Sequence, residues 1–377
     1  MSKPFLEKFR RITSSGFYLP QVDGLRFVAI FMVVCIAHIP NYINQKIFNG
    51  TFVTGYWWQF SLDGVFGVQF FFIISGFVLG HHFAKKYIHN NGKADLKKYY
   101  LRRLTRMEPP YLLALIIFFI ALVFIVKKYE FAELFPHFIA SFFYVHNEVY
   151  HQHSYVLPVA WTLEIEIQFY LLAPLLALLY KLKKRELRWL IFLILILANT
   201  YYWFNVWHGM HVFKFLHYFL CGMLIADLYI ERIKFRGPSW AGFLIGIASL
   251  ILLPFITGLY STPGYIIKNL LMVLLFYTGL TNKWLIKIFS FAPLAIIGGM
   301  CYSIYLIHEQ VISATGRLLK FINIKSSTFS FILSYLLLLL FVLIASAIYY
   351  KLVEQPCMKK NWWKNLFRQK QPSQNFQ

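Results

Sequence analysis

Arg26 and His38 stand twelve positions apart in Asp23-Gly-Leu-Arg-Phe-Val-Ala-Ile-Phe-Met-Val-Val-Cys-Ile-Ala-His38, a stretch that otherwise reads as membrane. Its unbroken apolar run, Phe27 to Ala37, is too short to cross a bilayer, which takes about 20 residues. The span must extend over 20–40, and it then contains Asp23, Arg26 and His38. Ionisable groups there cost roughly 2.5–3.5 kcal/mol each on insertion scales and usually face a cavity, a partner or a substrate path. A neutral histidine can take a proton from a hydroxyl. A carboxylate can orient its ring and stabilise the charged form. Arginines suit bidentate binding of phosphate. The chain offers further groups of each kind: Glu164 and Glu166, His308 and Glu309, and Arg102, Arg103 and Arg106. Acyl transfer from a coenzyme A thioester to a sugar hydroxyl would use all these parts.

The elements that must position them are membrane helices. Of 377 residues, 59% are hydrophobic and 20% aromatic, whereas soluble domains are about 45–50% apolar. The expected fold class is therefore all-α, a polytopic integral membrane protein. Ten segments are long enough to span: 20–40, 62–82, 110–127, 158–181, 188–206, 212–230, 239–258, 265–281, 293–316 and 328–351. The piece 134–147 is too short and reads as interfacial or re-entrant. Together these make one transmembrane domain over 1–356, followed by a basic, polar tail at 357–377. No internal repeat, cleaved signal peptide or second folded domain is expected.

The formal charge of +22 raises the question of nucleic acid. Its distribution answers it, because Lys and Arg crowd short loops between apolar spans, the pattern of cytoplasmic loops. They fill the N-terminal tail, the second loop and the loops after the fourth and sixth spans, while the first loop holds only Lys46. Both termini are thus expected in the cytoplasm of a cytoplasmic-membrane protein, with the lipid bilayer as partner and no nucleic acid. Arg317, Lys320 and Lys325 are the exceptions. On this orientation His38 lies about 18 Å outward of Arg26. Glu164, Glu166, His308 and Glu309 share its outer depth, and Arg102, Arg103 and Arg106 mark the cytoplasmic mouth of the third span.

These residues resemble acyltransferase family three, the integral-membrane O-acyltransferases that include O-antigen acetylases. Asp23-Gly-Leu-Arg26 with His38 matches the first-helix motif, and Gly67-Val-Gln-Phe-Phe-Phe-Ile-Ile-Ser-Gly-Phe77 the second. Arg103-Leu-Thr-Arg106 followed by Pro109 and Tyr111 matches the Arg-x-x-Arg loop. Trp161-Thr-Leu-Glu-Ile-Glu166-Ile-Gln-Phe-Tyr170 resembles the Trp-Ser-Leu-x-x-Glu block. Tyr302-Ser-Ile-Tyr-Leu-Ile-His308 and Glu354-Gln-Pro356 match the last two signatures. The resemblance covers nearly the whole chain in the family's order. It implies an acyl-CoA co-substrate, most simply acetyl-CoA, on the cytoplasmic side, a carbohydrate or lipid-linked glycan acceptor, and no permanently bound cofactor. The expected catalytic groups are His38, Arg26 and Glu166. The expected binding groups are Arg103, Arg106, Asp23, Trp161, Tyr305 and His308. His38 would either deprotonate the acceptor or carry the acyl group.

The chain departs from the family in three ways. Members usually place ten residues between the first-helix Arg and His; this chain places eleven. On a straight α-helix that changes the angle between them from about 20° to about 120°. Pro40 cannot donate to the carbonyl of Ile36, and one-residue π-bulges occur at functional sites, so a wide turn near His38 is expected. Gln69 replaces the usual Asp. A fused esterase-like domain, carried by some members, is not expected within these residues.

Plainer readings stand beside these. His38 and His308 could be structural or lining residues, and the loop arginines could be topological anchors. Glu164 and Glu166 lie about 200° apart around a helix, so only one can face a given site; the motif favours Glu166. Asp23 pairs most simply with Arg26 at i,i+3. The four cysteines read as buried thiols. His137, His146, His151 and His153 fit no standard zinc spacing, so no metal site is expected. A secondary transporter or flippase of glycan precursors is the rival function, since it too would use buried His, Glu and Arg.

Overall fold

The computed structural model describes residues 5–12, 18–50, 64, 66–89, 92, 94–205, 209–233, 235–256, 261–321, 327–359 and 362. Every regular element among them is helical. We number the helices α1 (Pro20–Ile47), α2 (Phe66–His89), α3 (Leu96–Ile125), α4 (Phe131–Phe142), α5 (His146–Tyr150), α6 (Ala160–Lys181), α7 (Arg185–Asn205), α8 (Val212–Ile230), α9 (Ser239–Ile256), α10 (Thr262–Thr281), α11 (Lys283–Phe289), α12 (Ala292–Gly299), α13 (Cys301–Phe321) and α14 (Thr328–Cys357). The tail expected at 357–377 lies, from residue 363 on, outside the described residues.

Among the described residues, α1, α2, α3, α6, α8, α9, α10 and α14 are each long and apolar enough to cross a membrane. The pair α12 and α13 adds a ninth if counted as one span. The chain is therefore a multi-pass membrane protein. The fifth expected span falls on α7, where Arg188, Asn199 and Thr200 dilute the apolar run. These groups turn to α8 and α10: Arg188 forks onto Asp227, Asn199 bonds His217, and Thr200 accepts from Asn269.

Two expectations need correction. The segment expected as the ninth span is not one straight helix, because α12 and α13 meet at 68° about Met300. The third begins well before residue 110, so Arg102, Arg103 and Arg106 lie on α3 itself rather than in a loop. The 134–147 segment becomes the short helix α4, which buries Leu134 and Ala140 while Phe131, Phe135, Ile139 and Phe142 stay exposed.

Small residues set the closest approaches, as expected where lipid offers no hydrophobic drive between helices. A Cβ on Gly76 would fall 2.1 Å from the Phe219 carbonyl oxygen, and one on Gly222 2.0 Å from that of Ile73. The α2 and α8 backbones therefore touch. At the break, a Cβ on Gly298 would lie 1.7 Å from the Asp23 carbonyl oxygen, so α12 is seated directly on α1.

Candidate active site

The wide turn predicted from Pro40 is present. Met32–His38 is π-helical, and the Ile39 N–H bonds the Val34 carbonyl. The Cys35 carbonyl would then need the N–H that Pro40 lacks; the Tyr335 hydroxyl donates to it instead, at 3.0 Å. The extra residue is absorbed there, and both ends of α1 face α13. Arg26 lines a cavity walled by Cys301, Tyr302 and Tyr305, while His38 Nδ1 lies 2.7 Å from His308 Nε2.

That cavity has a volume of about 130 Å³ and collects four arginines: Arg11, Arg26, Arg103 and Arg106. Asp23 Oδ1 accepts from Arg26 Nη1 at 2.5 Å and from Arg11 Nη1 at 3.0 Å, holding both guanidinium groups in place. Arg103 lies over the Tyr170 ring, 5.4 Å from its centroid. On α3, Pro109 and Pro110 withdraw two backbone donors. The Thr105 carbonyl left over takes the Trp362 indole N–H at 2.9 Å, and the Tyr302 hydroxyl donates to the Met107 carbonyl at 2.8 Å.

The break at Met300 matters electrostatically. It opens α13 with Cys301 at the cavity wall, and the first turn of a helix presents unpaired N–H groups and a partial positive charge. Glu354 answers part of this, accepting from the Ser303 N–H at 3.1 Å and the Ser303 hydroxyl. Against the four arginines stand Glu166, Glu354 and the bound Asp23, so cations exceed anions by one. A helix start and clustered arginines are the usual receptors for phosphate.

The two glutamates of α6 part company, as their spacing requires. Glu166 lines the cavity, where its Oε1 accepts from Ser75 at 2.7 Å and from the Tyr170 hydroxyl. Glu164 is turned the other way and accepts from the Asn147 N–H at 2.9 Å, anchoring α5. Glu166 is not brought to His38. The carboxylate found there is Glu309, whose Oε1 lies 3.5 Å from His38 Nδ1.

Thr162 and Tyr305 also line the cavity, with Thr162 Oγ1 donating to the Tyr305 hydroxyl at 3.1 Å, while His38 and His308 are not among the lining residues. The Tyr305 carbonyl is 2.7 Å from His308 Nδ1, which links the cavity wall to the histidine pair. Trp161 is not among the lining residues; it lies between His153 and Phe215, with centroids at 5.7 and 5.6 Å.

Sequence reasoning overlooked Arg11, which looked like one more basic residue of the tail. Its signal lies only in its approach to Asp23. The four cysteines are free thiols, and of them Cys301 lines the cavity. Outside the spans, His137 Nδ1 meets His146 Nε2 at 2.9 Å, and His146 Nδ1 donates to the Gln152 carbonyl at 3.1 Å.

An acyltransferase-domain family profile matches residues 19–351. The chain is similar to a Staphylococcus aureus (strain COL) protein provisionally named an O-acetyltransferase. The two are 31% identical over 327 residues, 78% of this chain and 51% of that protein. It is 26% identical over 388 residues to O-acetyltransferase OatA of S. aureus (strain MRSA252), covering 95% of this chain and 60% of that one. The chain spans about half the length of the curated relatives it matches. No solved structure matches it significantly.

Proposed function

The chain belongs to acyltransferase family three, and on that premise we propose that it is an O-acyltransferase. It moves an acyl group, acetyl foremost, from acyl-CoA on the cytoplasmic side to a hydroxyl of a cell-surface or lipid-linked carbohydrate. One observation carries this reading: the arginine-lined cavity at the start of α13 has Tyr305 in its wall, and the Tyr305 carbonyl holds the partner of His38.

The donor's phosphates would bind Arg11, Arg103 and Arg106, and its thioester would reach toward His38. His38 takes the proton of the acceptor hydroxyl as that oxygen attacks the thioester carbonyl. The carbon–oxygen bond forms, the carbon–sulfur bond breaks, and the departing thiolate takes up the proton to give free coenzyme A. Glu166 serves the donor side, by holding Ser75 and Tyr170 beneath Arg103.

The test is thiol release by purified protein given acetyl-CoA and envelope polysaccharide, with acetyl recovered on the glycan. His38→Ala is expected to abolish release while membrane abundance stays unchanged. Full activity in that variant removes histidine from the mechanism, and transport of glycan without thiol release favours a flippase.

A further inference from the structure

We propose that His308 is the positioning residue that holds His38 in a single tautomer, with Nδ1 protonated and Nε2 free to take the acceptor's proton. This rests on the acyl-transfer reading above, and it follows from which atoms can donate.

His308 is fully buried. Its Nδ1 lies 2.7 Å from the Tyr305 carbonyl oxygen and 3.2 Å from that of Ile304. Carbonyl oxygens only accept, so this nitrogen carries a hydrogen. A neutral imidazole has one N–H, and a second proton would put an added charge where no water reaches it. His308 Nε2 is therefore a lone pair. The nitrogen facing it at 2.7 Å, His38 Nδ1, must be the donor. The remaining nitrogen of His38, Nε2, is then the basic one. Turning either ring over would set a carbon against a carbonyl or a lone pair, so the partners also fix the ring orientations.

The two histidines differ in access. The side chain of His38 is 28% exposed, while His308 has no exposed surface. Only His38 can meet a substrate, and His308 acts through it. Glu309, the next residue along α13, brings Oε1 to 3.5 Å from the same His38 Nδ1. When Nε2 takes a proton, the imidazolium thus has a hydrogen-bond acceptor and an adjacent carboxylate on its far side. This is the division of labour by which a buried partner orients a catalytic imidazole. His308 and Glu309 share it between a lone pair and a charge. Without His308, Nδ1 and Nε2 of His38 compete for the single proton, and the fraction with a basic Nε2 falls.

The experiment combines kinetics with nitrogen-15 NMR of histidine-labelled protein in bilayers. In the wild type, His38 is expected as the Nδ1–H tautomer. His308→Leu should mix the tautomers and lower kcat by about tenfold or more, with KM for acetyl-CoA unchanged. His308→Gln places an amide oxygen where Nε2 was and should restore both the tautomer and most of kcat. Wild-type kcat in a folded His308→Leu, or a Gln variant as impaired as Leu, overturns the proposal. So does a His38 spectrum that His308→Leu leaves unchanged. A wild type inactive toward acetyl-CoA overturns only the functional reading, because the His38 spectrum still decides the role of His308.

Discussion

Arg26 and His38 both face α13, although eleven intervening residues would set them about 120° apart on a straight α-helix. The π-helical segment Met32–His38 makes the difference, and Tyr335 satisfies the Cys35 carbonyl left over beside Pro40. Tyr335→Phe should leave that carbonyl unpaired at a cost of about 1–3 kcal/mol, read as a lower thermal midpoint. Pro40→Ala returns a backbone donor, so α1 is expected to tighten there and turn His38 by about 100°. Thiol release should then fall steeply while acetyl-CoA binding persists; an unchanged rate would show that the wide turn is dispensable.

The four arginines predict how donor binding is distributed. Hydrogen bonds to charged groups contribute about 1.5–3 kcal/mol, so Arg11→Gln and Arg106→Gln should each weaken coenzyme A binding by roughly 10- to 150-fold. Lys97→Gln, at an exposed position on the same basic stretch, should change it little, because solvent and salt screen it. Titration calorimetry in detergent separates the two cases. Equal effects at all three positions would mean that diffuse positive charge, rather than the cavity, attracts the donor.

Gly298 tests the seat of α12 on α1. In Gly298→Ala the added methyl meets the Asp23 backbone oxygen, which cannot swing aside as a side chain would. A loss of about 1–3 kcal/mol is expected from such overpacking. Asp23 should also shift from Arg11 and Arg26, so coenzyme A binding should weaken with stability. Retention of both would show that the helices separate without disturbing the cavity.

The pair His137 and His146 should make the segment around α4 and α5 sensitive to acid. Burial lowers the His146 pKa from its ordinary value to about 4, and His137 is also lowered by burial. A histidine depressed in the folded state binds fewer protons than the unfolded chain between these values, so stability rises with pH there. The contribution is complete above about pH 6.5 and is lost as pH falls toward 4. Hydrogen-exchange protection over 131–157, corrected for the intrinsic exchange rate at each pH, should fall between pH 7 and 5 in the wild type. In His146→Asn that dependence should largely vanish; persistence would place the titrating group elsewhere.

Much of the site was readable because it depends on positions along one helix. The one residue that this chain adds to the family's Arg26–His38 spacing, with the donor that Pro40 lacks, foretold the wide turn. The 200° between Glu164 and Glu166 foretold that they would part. Arg103 and Arg106 were read at the cytoplasmic mouth of the third span and singled out by their motif; that they line one cavity came from the fold. The break at Met300 was not readable, because Gly298, Gly299 and Met300 sit in an apolar run that also reads as a continuous span.

The sequence by itself determined an all-helical membrane protein, because hydropathy, charge and periodicity are properties of single segments, while its family was carried by the resemblance of its motifs. Tertiary structure alone decided which groups meet. Arg11 left the basic tail for Asp23, Glu309 rather than Glu166 approached His38, and Trp161 turned away from the cavity. Apolar spans offer one another similar surfaces, so pairings between helices are selected by close contacts such as Gly298 on Asp23 and by buried polar bonds such as His308 to His38. Neither is written in the spacing of one chain segment.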